Sequence, residues 1–195
     1  DNNVQNRVAM TPDGASIAVA SDNQLYAFDK NGNLKLSYTS EYKMETVDIS
    51  DYGNYITGAS WDGNIYFFDT YRDKEKPIWK YKENTQMRCV DITPDGKYVA
   101  SCSGAYSYIF DTAGNKLWQS KNPNYTTMWS ISVSDDGSKV ATGTHGYVYL
   151  FDTGNLKNPL NLKSVRYLIS LGLIGLLGYF WYRGGEYRKS FELKV

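Results

Sequence analysis

The chain holds a single His and two Cys in 195 residues. That supply is too small for a His/Cys zinc centre and far from a disulfide-dense scaffold. One His also leaves little from which to build a Ser/His/Asp triad. No Gly-rich phosphate loop of the P-loop or dinucleotide type occurs. Surplus positive charge is missing as well. Lys and Arg number 21 against 21 Asp and Glu, which argues against a nucleic-acid partner. No cofactor is implied by any residue set. What the chain has in abundance is aromatic: 18 Tyr, 7 Phe and 5 Trp, with 17 Gly. Such a mixture leans towards strands joined by tight turns, because aromatic side chains pack well on pleated surfaces.

The strongest pattern is a repeat. Thr11-Pro12-Asp13-Gly14, Ser50-Asp51-Tyr52-Gly53, Thr93-Pro94-Asp95-Gly96 and Ser134-Asp135-Asp136-Gly137 share one turn grammar, with glycines 39, 43 and 41 residues apart. A second marker, Phe28-Asp29, Phe68-Asp69, Phe110-Asp111 and Phe151-Asp152, recurs at 40, 42 and 41. Two markers in step define a unit of about forty residues. In the first, Pro presets φ where present, Asp tolerates the third position, and Gly takes the left-handed one. An alternating segment such as Val47-Asp48-Ile49 or Val90-Asp91-Ile92 leads into that turn, and a second apolar run such as Tyr98-Val99-Ala100 follows it. A small-residue corner, an aromatic run such as Tyr147-Val148-Tyr149-Leu150-Phe151 and a fourth segment such as Lys116-Leu117-Trp118 complete each unit. Four short strands in a meander predict a four-stranded antiparallel blade.

With this period and these strands, the sequence resembles the WD40-like and PQQ-like β-propeller repeat families over about residues 7–160. Phe-Asp stands where WD40 blades often carry Trp-Asp, and Gly114-Asn115-Lys116-Leu117-Trp118 is similar to the Trp-bearing end of a quinoprotein-type blade. The resemblance implies an all-β β-propeller of about four four-stranded antiparallel blades, and says little about function. Four is the lower end of the propeller range. Two readings stay open: four blades that close or pair with a partner, or the C-terminal part of a longer propeller. The second is preferred, because the first strand begins almost at once.

After Asp152 the repeat grammar stops. Residues 161–183 are expected to form a linker and one C-terminal transmembrane α-helix, spanning about 165–183, with residues 184–195 a short basic tail. Tyr167 to Tyr182 carries no charge, and Tyr179, Phe180, Trp181 and Tyr182 crowd one end as an interfacial aromatic belt would. Gly172, Gly175 and Gly178 form a small-residue stripe that lets a partner helix approach. The expected partners are thus the lipid bilayer and other integral membrane subunits. Basic residues near the span count four downstream against three upstream, favouring a cytoplasmic C-terminus. The Asn124-Tyr125-Thr126 glycosylation pattern also points to an external propeller. So do Cys89 and Cys102, which face each other if Ile92 pairs with Val99. A disulfide there and two free buried thiols are both open at this stage. The zero net charge therefore hides a segregation: residues 164–195 hold five basic and two acidic residues. The mean hydropathy of -0.51 likewise averages a polar repeat domain with an uncharged run.

Few residues invite chemistry. Asp29, Asp69, Asp111 and Asp152 occur once per repeat, so a turn hydrogen bond is the expectation, as for Asp13, Asp95 and Asp136. His145 is a lone corner residue. Tyr42, Tyr52, Tyr55, Tyr71, Tyr106 and Tyr125 fall near loops and strand ends, as recognition residues or as packing between blades. The expected job is a non-catalytic scaffold or accessory subunit of a membrane complex. A surface-anchored glycan or ligand sensor is the alternative, and a quinone-cofactor enzyme fragment comes third.

Overall fold

The computed structural model describes residues 6–154, residue 156 and, by backbone alone, residues 166–169. Among the described residues sixteen strands form four antiparallel sheets, each a meander of consecutive strands. Blade 1 is β1 (Asn6–Met10), β2 (Ser16–Ser21), β3 (Gln24–Asp29) and β4 (Leu34–Thr39). Blade 2 is β5 (Met44–Ile49), β6 (Tyr55–Ser60), β7 (Asn64–Asp69) and β8 (Trp79–Lys82). Blade 3 is β9 (Met87–Ile92), β10 (Tyr98–Ser103), β11 (Tyr106–Asp111) and β12 (Lys116–Lys121). Blade 4 is β13 (Met128–Val133), β14 (Lys139–Thr144), β15 (Tyr147–Asp152) and β16 (Arg166–Ile169). The repeat unit read from the sequence is thus the blade.

Blade 4 departs from expectation at one strand. Arg166–Ile169 pairs with β15, Phe151 opposite Arg166 and Val148 opposite Ile169, where the uncharged run predicts the start of a helix. Tyr, Leu and Ile suit a strand equally well, and without them β15 would present an unpaired edge. The rest of the expected helix, its Gly172, Gly175 and Gly178, and the basic tail lie outside the described residues. Among the described residues no helix is long and apolar enough to cross a membrane.

The core lies between blades. One face of blade 1 (Ala18, Ala20, Leu25, Ala27, Leu36) packs on Val47, Ile49, Ile56, Tyr66 and Phe68 of blade 2. The same joint recurs with Ala59, Ile65 and Phe67 against Val90, Ile92, Val99, Tyr108 and Phe110. It recurs again with Ala100, Ile109 and Trp118 against Val133, Val140, Tyr149 and Phe151. Alanines on one face (Ala18, Ala20, Ala27, Ala59, Ala100), with larger residues such as Phe67 and Trp118 beside them, receive the aromatics of the next, and period-two alternation turns successive residues to opposite faces. The innermost strands β1, β5, β9 and β13 pack in that order.

The turn glycines serve the same joint. The first-turn Gly of blades 2, 3 and 4 lies against the second-strand opening of the preceding blade: a Cβ at Gly53 would stand 2.7 Å from Ser16 Oγ, and one at Gly137 2.8 Å from Tyr98 Cδ2. At Gly96 it would enter the Tyr55 ring, and the backbone φ of +74° disfavours a side chain regardless. Gly32 has a similar φ of +81° with nothing within 4 Å, so it isolates the backbone cost of about 1–2 kcal/mol. Gly96→Ala is expected to lower the unfolding free energy by at least 1 kcal/mol more than Gly32→Ala, read from denaturant midpoints at equal m-values. Equal losses would mean that Tyr55 is not held against this turn.

Candidate functional site

The first-turn motif folds as a closed hydrogen-bond ring. In blade 1, Thr11 Oγ1 donates to Asp13 Oδ1 at 2.7 Å, and the Ala15 and Ser16 amides donate to Asp13 Oδ1 and Thr11 Oγ1. Blade 3 repeats this with Thr93 and Asp95, and blade 4 with Ser134 and Asp136. The Phe-Asp aspartates cap the turn that follows the third strand of each blade. Asp29 accepts from the Asn31 and Asn33 amides, Asp69 from Tyr71, Asp111 from Ala113 and Asn115, and Asp152 from Gly154. Among the described residues no three His, Cys, Asp or Glu side chains gather into a metal-type group.

These turns occupy one end of the arc, together with the highly exposed Tyr52 and Tyr71. The opposite end, made by loops between β4 and β5, β6 and β7, and their equivalents, carries a different chemistry. Three inner strands carry a β-bulge beside this end. Register skips Glu45 between Met44 and Thr46, Arg88 between Met87 and Cys89, and Trp129 between Met128 and Ser130. The methionine of each pair is fully buried, and the bulge leaves the next side chain unpaired and re-aimed. Around these three residues cations stack on aromatics. Lys43 Nζ lies 4.9 Å from the Trp61 ring centre, and Trp61 Nε1 donates to Glu45 Oε2 at 2.7 Å. Arg88 stacks 4.5 Å over Trp129, whose ring also lies 5.4 Å, centre to centre, from the His145 ring in an edge-to-face arrangement. Lys121 sits 3.8 Å over Tyr125. Trp61 remains 40% and Trp129 47% exposed. Arg88 borders two depressions, one with Trp61, Asn84 and Gln86, the other with Arg7, Glu45 and Trp129.

The sequence-picked tyrosines separate by location. Tyr42 and Tyr125 stand exposed on this rim, Tyr55 stacks on Phe67 at 5.2 Å inside a blade joint, and Tyr106 packs against the same cluster. Asn124 is exposed beside Tyr125, which adopts φ +55°. Cys89 and Cys102 are register partners with Cα atoms 5.3 Å apart, and their sulfurs are joined as a disulfide. That cross-link lies directly behind Arg88.

Sequence reasoning passed over Glu45, Arg88 and Trp129. A signal existed: Met44-Glu45, Met87-Arg88 and Met128-Trp129 recur at 43 and 41 residues, in phase with the turns. It also passed over two inner-strand carboxylates. The Ile92 amide donates to Asp48 Oδ2 at 2.9 Å and the Val133 amide to Asp91 Oδ2 at 2.6 Å. Each aspartate thus ties its blade to the next. Burial, with the neighbouring Asp91 carboxylate adding to it, pushes the Asp48 carboxyl up to about 7. The exposed turn carboxyls of Asp13 and Asp136 move the other way. Asp136 is held down to about 2 by the Ser138 amide and the Ser134 hydroxyl, and Asp13 is lowered by the Thr11 hydroxyl and the Ala15 amide.

The family model described as WD domain, G-beta repeat matches residues 35–69 and 75–111. The first match begins on β4 and the second in the segment just before β8, and each ends at the Phe-Asp of the following blade, so the two matched repeats are WD40-like. No match is found among curated proteins.

The Asp48 shift fixes a pH dependence. A folded carboxyl that holds its proton to about 7, against 3.8 for the ordinary group, adds stability at low pH that is lost as pH rises through that window. Asp13, Asp29, Asp95 and Asp136, all held low, contribute in the opposite sense, their share present at neutral pH and lost as pH falls through the acid range. Wild-type Tm is therefore expected to fall between pH 5 and pH 8, whereas Asp48→Asn, which keeps an acceptor for Ile92, flattens that slope. Each kcal/mol recovered at pH 8 corresponds to about 2–4 °C in a chain of this size. A variant with the wild-type slope would remove Asp48 as its source.

Proposed function

We propose that the chain is a non-catalytic, protein-binding scaffold of the WD40-like type and an accessory subunit of a membrane complex. The rim of Trp61, Arg88, Trp129 and Tyr125 is its docking surface. The observation that carries this reading is the placement, at one end, of exposed aromatics stacked with cations, on the bulged strands (Arg88, Trp129) and in the loops beside them (Trp61, Tyr125). Trp, Tyr and Arg are the residues that dominate binding energy at protein interfaces. The turn aspartates, by contrast, are absorbed in hydrogen bonds that each blade needs.

Attachment to the bilayer rests on the uncharged C-terminal run. With Arg166–Ile169 paired as a strand, residues 170–182 would extend about 20 Å as a helix, against a hydrocarbon core of about 30 Å. A span so short and glycine-rich suits a place among other subunits, where close helix contact and local bilayer thinning offset the mismatch. The Cys89–Cys102 disulfide and the exposed Asn124 acceptor support an extracytoplasmic propeller, since disulfides persist in oxidising compartments.

The test is co-purification in mild detergent of the tagged full chain from its native membranes, beside a Trp61→Ala/Trp129→Ala variant. Hot-spot aromatics cost about 2 kcal/mol or more each, so the double variant is expected to retain less than a tenth of a stoichiometric membrane partner. Undiminished recovery would sink the assignment of the rim, and isolation of the wild type as a lone chain would sink the subunit reading.

A further inference from the structure

The blade joint occurs three times inside the chain and leaves both of its halves unused at the ends. Blade 1 carries, at the positions of Val47, Ile49, Ile56, Tyr66 and Phe68, the residues Val8, Met10, Ile17, Tyr26 and Phe28. In blade 2 that set is buried; in blade 1, Val8 is 63% and Met10 60% exposed, and Ile17, Tyr26 and Phe28 are only half-buried. Blade 4 carries the receiving half. Ala141, Gly143, Val148 and Leu150 occupy the positions of Ala18, Ala20, Leu25 and Ala27, yet are half-buried where the blade 1 set is closed to solvent. Blade 4 does not pack on blade 1 in the way consecutive blades do, so among the described residues the arc stays open.

The unmatched surfaces are complementary, one large and aromatic, the other small. Even the turn contact is prepared. Lys139 of blade 4 holds the position of Ser16, Tyr55 and Tyr98, and Gly14 that of Gly53, Gly96 and Gly137; the space beside Gly14 is empty but for Met10 Sδ at 3.9 Å. Soluble surfaces rarely leave so continuous an apolar face without a partner.

We propose that two copies of this chain associate head to tail, blade 4 of each seated on blade 1 of the other, and close an eight-bladed ring. The occupant is a second copy because the exposed face continues an interface that the chain already makes with itself three times. A heterologous contact of this kind either closes into a ring or runs on as a filament, and eight blades lie within the range at which propellers close.

The test measures the protein mass of the full chain in mild detergent, by native mass spectrometry and sedimentation equilibrium, for wild type, Met10→Asp and Ala141→Asp. Met10 is exposed, so Met10→Asp is expected to keep the wild-type circular dichroism and melting profile at dilution. The wild type is expected at twice the chain mass, and each variant alone with a dimer dissociation constant raised at least tenfold. An equimolar mixture of the two variants, which restores one intact joint, is expected to recover part of the pairing. A monomeric wild type, a dimer insensitive to both variants, loss in Met10→Asp alone, or an open series of larger masses would each overturn the proposal.

Discussion

Everything described depends on one contact, the apolar joint between consecutive blades. A single four-stranded blade has strands enough but no cover of its own, since a flat meander buries only what a neighbour covers. Blades 2 and 3 are covered on both sides, and they hold four of the large fully buried aromatics, Phe67, Phe68, Tyr108 and Phe110, with Tyr149 and Phe151 on blade 4. The joint also dictates details that look local. The first-turn glycine must be bare because the preceding blade's Ser16, Tyr55 or Tyr98 reaches into it. The half-buried inner-strand carboxylates Asp48 and Asp91 each accept an amide from the next blade.

The same rigidity makes the rim usable. A bulge needs a well-anchored strand on either side, and Met44, Met87 and Met128 supply the anchor while Glu45, Arg88 and Trp129 turn outwards. Cation–aromatic stacking then limits the rotamers of Lys43, Arg88 and Lys121, so a partner would pay little to order them. The disulfide behind Arg88 braces that strand pair further.

Much of the fold was legible because turn chemistry and strand alternation are local codes. Phe-Asp and Thr-Pro-Asp-Gly fixed blade boundaries, and the register Ile92 opposite Val99 brought Cys89 opposite Cys102. The rim was not legible, since a bulge depends on two strands and the Met-X signal has meaning only once its pairing is known. Asp48 and Asp91 were hidden for a related reason: their acceptor role lies across blades, forty-odd residues away. The tyrosines show the same limit, Tyr42 and Tyr55 being alike in sequence yet one exposed and one stacked in a joint. Arg166–Ile169 shows the converse, an apolar stretch whose strand or helix character is decided by the open edge of β15.

Hydrogen exchange on the Met10→Asp variant, in which blade 1 has no neighbour on its outer face, tests the dependence on blade joints most directly. If packing between blades carries the stability, amides of β6, β7, β10 and β11 are the slowest to exchange, and those of β1, β2 and β14 open at lower free energy. Equal protection in all four blades, or blade 1 outlasting blade 2, would contradict it.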